Sequence, residues 1–256
     1  MAAVENGSEK RELAGKRALV TGGSRGIGAG IVRHLLDAGA EVLTTARSAP
    51  GDLPGKVHFV EADLRTPEGI DTIAASAREV LGGVDILVSS AGGARARDGA
   101  TDTTEEVWQD TLNLNFFAAV RLDRHFIPEM RERGSGAIVH VASAATTLPD
   151  RYFLHYTAAK AALDNYSVGL SRDLAPAGIR VNRVSPGRTA TPGGEAAREE
   201  WAQMFGYVSN AVGAPPLGRD GTPDDIAEAV LFLVSDRANW ISGANIFVDG
   251  GEFPRV

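Results

Sequence analysis

TGGSRGIG, residues 21–28, decides the fold. It follows the apolar run RALVTG (17–22) and leads into the amphipathic run GIVRHLLDAG (30–39). A buried strand that turns through glycines into a helix is the opening unit of a nucleotide-binding α/β sheet. Gly22, Gly26 and Gly28 permit backbone angles and close approaches that a β-carbon would block. With Ser24, Arg25 and Ile27 they form a candidate cofactor loop. The helix start adds unpaired N–H groups and the positive end of its dipole, which suit a pyrophosphate. A glycine turn with no ligand would look the same in isolation; the strand before it and the helix after it favour the nucleotide.

Outward from this loop, short apolar runs alternate with longer amphipathic ones. EVLTTA (41–46) and KVHFVEAD (56–63) read as strands. TPEGIDTIAASAREVLG (66–82) reads as a helix, with Pro67 in its first turn, acids early and glycine at its end. VDILVSSAGG (84–93) is a strand running into a loop. A long helix capped by Thr103 or Thr104 extends to about Arg133, and Pro128 is the place where it would bend. GAIVHVAS (136–143), IRVNRVSPG (179–187) and ANIFVD (244–249) complete seven strands, with a helix before each of the last two. Continuous apolar strands alternating with helices predict one doubly wound Rossmann-type α/β domain: a seven-stranded parallel sheet with helices on both faces. It is expected over 15–256, behind a flexible tail at 1–14.

The chain has 256 residues, a formal net charge of -7 and no cysteine. The charge argues against nucleic acid or an anionic membrane as the main partner. Without cysteine, thiol catalysis, Cys-ligated metal and disulfides are excluded. No apolar run is long enough to cross a bilayer, and MAAVENGSEKRELAGKR lacks the apolar centre of a signal peptide, so a cytoplasmic protein is expected. His34, His58, His125 and His140 show no ligand spacing, and no catalytic metal is predicted.

YTAAK (156–160) places Tyr156 and Lys160 one turn apart on a helix face. By itself the pair could be two surface side chains. A carbonyl that receives hydride, however, needs an acid within hydrogen-bond reach and donors aimed at its oxygen. A free phenol, with pKa about 10, is too weak near neutral pH; bringing it to about 7 takes about 4 kcal/mol in favour of phenolate. A neighbouring ammonium supplies such stabilisation by charge. Ser143 closes the fifth strand and can donate to the same carbonyl oxygen. His155 is adjacent to Tyr156, but successive helix positions do not share a face, so a packing role is expected.

TGGSRGIG, DL (63–64), SAGG (90–93), NLN (113–115), Ser143, YTAAK and VSPGRTAT (184–191) stand in one order. In that order and spacing the sequence resembles the short-chain dehydrogenase/reductases over nearly its whole length. The resemblance implies an oxidoreductase that moves a hydride between nicotinamide and a ketone or secondary alcohol, with Tyr156 as general acid/base. It implies that Lys160 binds the nicotinamide ribose. Asn115, with Asn113 as the nearby alternative, would hold a water that relays protons to Lys160. Asp63 and Leu64 would meet the adenine, and Ala91 and Gly92 the ribose. After Pro186 and Gly187 end the sixth strand, Thr189 and Thr191 would hold the nicotinamide amide. Ser90 stands where the family usually carries asparagine. A homotetramer is implied as well, through the YTAAK helix and the helix at about 104–133.

The cofactor follows from charge. Ala46 stands where NAD enzymes of the family carry an acid, and Arg47 follows it. With no carboxylate to repel it, a 2′-phosphate could sit between Arg25 and Arg47, so NADP(H) is predicted. Two charge-assisted hydrogen bonds at about 1.5–3 kcal/mol each give more than tenfold preference. On the substrate side, 192–217 reads as a mobile lid around a short helix. Trp201, Met204, Phe205 and Tyr207 either line an apolar pocket or pack the lid onto the body. Arg95, Arg97 and Arg151 either greet an anionic substrate or stand in solvent. Epimerisation through transient oxidation, and nucleotide binding without turnover, are the alternative functions.

Overall fold

The computed structural model describes residues 11–49, 51, 53, 56–93, 95–205 and 215–253. Its seven strands are β1 (Arg17–Thr21), β2 (Glu41–Ala46), β3 (Val57–Glu61), β4 (Ile86–Ser89), β5 (Gly136–Val141), β6 (Ile179–Pro186) and β7 (Asn245–Val248). They form one sheet in the order β3-β2-β1-β4-β5-β6-β7, and every pairing is parallel. The chain winds outward from β1 to β3, then crosses back to start β4 on the other side of β1. That reversal leaves a crevice beyond the carboxyl ends of β1 and β4, where ligands bind in open α/β sheets.

The helices are α1 (Gly26–Asp37), α2 (Pro67–Leu81), α3 (Glu105–Leu112), α4 (Ala118–Arg133), α5 (Leu154–Leu174), α6 (Pro192–Phe205) and α7 (Pro223–Val234). Strand alternation sends neighbouring residues to opposite faces. Val20 and Val139 pack with Ile31 and Leu35 of α1 and Ile226 and Val230 of α7. Leu19 and Ile138 pack with Ile73 of α2, Phe126 of α4 and Leu174 of α5. Each fully buried large apolar side chain contributes roughly 1.5–3 kcal/mol. The predicted parallel sheet with helices on both faces is therefore the observed architecture. Among the described residues, no helix is long and apolar enough to cross a membrane.

Local chemistry sets the ends. The Thr66 hydroxyl accepts from Gly69 N at 3.0 Å, Pro67 opens α2, and Gly82 closes it with a left-handed φ of 69°. Thr104, not Thr103, caps α3, through Val107 N. The Thr103 hydroxyl is buried and donates to Gly99 O at 2.9 Å. Thr222 and Asp225 form a capping box at α7.

Three boundaries depart from the sequence reading. Helix α1 starts at Gly26, ahead of the run at 30, because glycines carry no apolar side chain to register the period. The long helix leaves α geometry not at Pro128, which sits inside α4, but at Asn113–Phe117, one π-helical turn. Residues 11–14 belong to the packed body: Leu13 is 1% exposed, and its N–H donates to Ala38 O at 2.9 Å. The rest of the expected tail, 1–10, lies outside the described residues. Within the expected lid, α6 fills 192–205, and 206–214, with Tyr207, also lie outside them.

Candidate active site

The glycine loop is built by close approach. A β-carbon on Gly22, whose φ is +71°, would stand 3.0 Å from Ala91 Cα; one on Gly28 would stand 2.3 Å from Gly22 O. The Gly28 contact is shorter than real β-carbons make, and Gly22 combines a tight contact with a left-handed φ, so the turn from β1 into α1 requires glycine at both positions. Threonines tie this turn to the sheet. Thr44 Oγ1 accepts from Gly23 N at 3.0 Å and donates to Val20 O at 2.7 Å. Thr21 Oγ1 accepts from Ser90 N and Ala91 N, both at 3.0 Å, which docks the loop after β4 onto β1. The Ser90 hydroxyl itself is buried and has no hydrogen-bond partner among the described residues. Thr21, a residue the sequence reading did not single out, thus holds the backbone of this loop.

Beyond these strand ends lies a cleft of about 270 Å³. Gly22, Ser24, Arg25, Gly26, Ile27 and Gly28 form one wall. Arg47 stands at the end of β2, Asp63 and Leu64 after β3, and Ser90, Ala91 and Gly92 after β4. Thr191 closes the cleft opposite Gly26. All of these were predicted. Arg65, Thr45, Ala62, Leu114 and Gly193 line it too and were missed. Position next to a motif was the signal for Arg65, which follows Asp63-Leu64, and for Leu114, which lies inside NLN. Pro186, Gly187 and Thr189 do not line the cleft. A β-carbon on Gly187 would stand 2.5 Å from Asp249 Cβ, and the Thr189 hydroxyl donates back to Gly187 O at 3.0 Å.

The cleft fits a dinucleotide. Arg25 and Arg47 are exposed and pair with no carboxylate among the described residues, and Ala46, the last residue of β2, adds no negative charge. The first turn of α1 has no side-chain cap and no acid, so its amides stay available to an anion.

Behind Gly92, which lines the cleft, Asn115 and Lys160 come together, with Tyr156 beside Lys160 and Ser143 hydrogen-bonded to Tyr156. Ser143 ends the segment after β5 and caps the short 3-10 turn Ala144–Thr146. Lys160, 3% exposed, donates to Val141 O at 2.8 Å, and its Nζ lies 6.0 Å from the Tyr156 ring centre. Asn115, 2% exposed, donates to Gly93 O at 2.9 Å and to Thr111 O at 3.0 Å, and accepts from Gly93 N at 3.0 Å. The π turn gives it this reach. Asn113 instead accepts from Arg121 at 2.9 Å, so of the two asparagines it is Asn115 that faces the site. A β-carbon on Gly92 would stand 2.9 Å from Asn115 Oδ1 and 3.1 Å from Lys160 Nζ. Behind Lys160 and Asn115 is a closed cavity of about 10 Å³, lined also by Thr21 and Ser89, with room for about one water.

Burial governs the charges. It pushes the Tyr156 phenol above its ordinary range, while a hydrogen bond from the Ser143 hydroxyl draws it back. Burial likewise lowers Lys160 to about 8, opposed by the negative charge of Asp164. The downward tuning of the phenol expected from Lys160 does not outweigh burial in the chain by itself.

The substrate side is less charged than the sequence suggested. Arg151 donates to Asp98 at 2.6 Å and lies over the Tyr152 ring, and Arg95 stands 3.6 Å from Glu200 of α6. Arg97 donates its backbone N–H to Tyr152 O at 3.0 Å. The side chain of Phe205 lies outside the described residues. His155 is 1% exposed and packs edge-on against Trp108 at 6.2 Å, the packing role expected for it. Among the described residues, no three His, Asp or Glu side chains gather as a metal site.

Comparison with known proteins agrees with this geometry. A family model described as enoyl-(acyl carrier protein) reductase matches residues 22–252. The 3-oxoacyl-(acyl-carrier-protein) reductase of Vibrio cholerae is 34% identical over 248 residues, 94% of this chain and 98% of the relative. Dehydrogenase/reductase SDR family member 4 of Pongo abelii is 35% identical over 261 residues, 98% and 92% of the two chains. The L-sorbose reductase of Gluconobacter frateurii, solved with NADPH and L-sorbose, superposes with a TM-score of 0.87 at 33% identity, over 96% of this chain and 100% of that one. Fold, cleft and relatives converge: this chain belongs to the short-chain dehydrogenase/reductase family of oxidoreductases.

Proposed function

We propose that this protein is an NADP(H)-dependent ketone reductase, or secondary-alcohol dehydrogenase in reverse, with Tyr156 as its general acid/base. The observation that supports the reading is that Lys160 and Asn115 meet behind Gly92 of a cleft lined by Arg25 and Arg47, with Tyr156 beside Lys160 and Ser143 hydrogen-bonded to Tyr156. The cofactor is NADP(H). Arg25 and Arg47 receive the 2′-phosphate, the α1 amides the pyrophosphate, and Asp63 with Leu64 the adenine. When bound, the nicotinamide supplies the hydride. The chain supplies the rest. The Ser143 hydroxyl donates to the substrate oxygen and holds it beside the phenol. Tyr156 gives that oxygen its proton, or removes it in the reverse direction. Lys160, held on Val141 O, places a positive charge beside the phenol and favours the phenolate formed when the proton leaves. Asn115 clamps the Gly93 backbone and so holds the floor on which Lys160 rests.

A relative named 3-oxoacyl-(acyl-carrier-protein) reductase supports reduction of a ketone, and a neighbour named L-sorbose reductase supports a small-molecule substrate. The lid at 192–217, assembly as a homotetramer and a cytoplasmic location belong to the same reading. The test is NADPH oxidation across acetoacetyl-CoA, L-sorbose and bulky neutral ketones. Turnover with one class and none in Tyr156→Phe, with NADPH affinity kept, is expected. Tight NADPH binding without turnover on any ketone or alcohol refutes the reading.

A further inference from the structure

Asp164 belongs to none of the sequence motifs, yet it joins three parts of the site. On α5 the residues Tyr156, Lys160 and Asp164 follow one another at four-residue spacing, which stacks them along one face. Arg183 of β6 lies 3.3 Å from the Asp164 carboxylate and also donates to Asp164 O at 3.2 Å. Its second arm donates to Gly243 O at 3.3 Å, so the cation is anchored from both sides. From the turn after β5, the Thr146 hydroxyl reaches Ser143 O at 2.9 Å and Asp164 Oδ2 at 3.4 Å. The side chains of Arg183 and Asp164 are only 13% and 17% exposed.

A carboxylate this enclosed is costly, and an apolar pair of similar volume would staple α5 to β6 at least as well. What an apolar pair would not supply is negative charge near Lys160. Among the described residues, the other groups around the ammonium are neutral: the Tyr156 ring, the Val141 carbonyl, and Thr21, Ser89 and Asn115 around the small cavity. We propose that Asp164 is a positioning residue of this site: held by Arg183, it fixes the turn that carries Ser143 through Thr146 and stands as the counter-charge to the Lys160 ammonium. The inference deepens the reductase reading and rests on it for the role of Lys160. The electrostatics agree in direction. Asp164 raises Lys160 against the burial that lowers it, and Lys160 and Arg183 both lower Asp164 against its own burial.

The test reads Lys160 directly. The chain has four lysines, Lys10, Lys16, Lys56 and Lys160, so the Nζ signals of lysine-labelled protein are resolvable by NMR, with Lys160→Arg giving the assignment. In Asp164→Asn the Lys160 titration midpoint is expected to fall by about one pH unit, the lower end of the effect of a close opposite charge. Asp164→Glu restores most of it. The alkaline limb of kcat/KM for NADPH-linked ketone reduction moves down by the same amount, which costs roughly threefold in rate near pH 7.5. Should Asp164→Asn not fold, Arg183→Gln serves with the opposite sign, because it leaves the carboxylate to Lys160 and raises the midpoint. A folded Asp164→Asn whose Lys160 titrates as in the wild type overturns the proposal, as does an Arg183→Gln midpoint that does not rise. The NMR reading needs no turnover, so failure of the reductase reading shows separately, as a wild type that oxidises no NADPH.

Discussion

Lys160→Met is expected to make the protein more stable at neutral pH while abolishing its turnover. The ammonium is buried, and burial brings its pKa from the ordinary 10.5 to about 8. A lysine depressed in the folded state is a stability cost wherever it is charged. The unfolded chain holds its proton up to about pH 10.5, whereas the folded chain releases it near 8. Below about 8 the cost is present in full, and between about 8 and 10.5 it disappears, so folded stability rises with pH across that window. At about 1.4 kcal/mol per pH unit the full cost is about 3 kcal/mol. Methionine removes the charge at nearly constant volume but leaves Val141 O without its 2.8 Å charged donor, a loss of about 2 kcal/mol. The net gain at pH 7 is about 1 kcal/mol. Above pH 10.5 the charge cost is gone from the wild type, and the variant should be the less stable of the two. Urea denaturation of both proteins at pH 7 and near pH 10.5 measures this, and groups common to both cancel in the difference. A variant less stable than wild type at pH 7, or a difference that does not change with pH, refutes the reasoning.

Three further outcomes are expected. Gly92→Ala sets a methyl 2.9 Å from Asn115 Oδ1 and 3.1 Å from Lys160 Nζ. Overpacking of this kind costs about 1–3 kcal/mol, and displacement of the lysine costs on the order of 100-fold in kcat, read as NADPH oxidation against thermal unfolding of the same sample. Ala46→Asp places a carboxylate beside Arg47 in the cleft; the ratio of kcat/KM with NADPH to that with NADH should fall by more than tenfold. Asp123→Ala leaves His140 and the Tyr166 hydroxyl without their acid partner in a core where Asp123 and His140 are both 0% exposed; a loss of about 3–5 kcal/mol is expected by urea denaturation, with cofactor affinity unchanged in the molecules that remain folded.

The sheet, its parallel sense and the glycine loop were legible because each rests on local pattern: unbroken apolar runs for strands covered on both faces, and glycines between a strand and a helix. The ends of the helix at 66–82, marked by Pro67 and Gly82, were equally local. The spacing of Tyr156 and Lys160 on one turn needed no more than helical geometry, whereas the expectation of a phosphate between Arg25 and Arg47 rested on their charge and on the family resemblance that marks Ala46 as the position of a missing acid. What stayed hidden depends on atoms distant in the chain. The π turn at 113–117 exists where Asn115 reaches Gly93, 22 residues away. Thr21 docks a loop 69 residues later, and Asp164 meets Arg183 on another strand. Directions of proton affinity also waited for the fold. From its neighbours in sequence, Lys160 should lower the Tyr156 phenol; burial, which only packing creates, pushes the phenol up and brings the lysine down to about 8. Short-range spacing can be read from one strand of text, whereas solvation is set by everything that folds around a group.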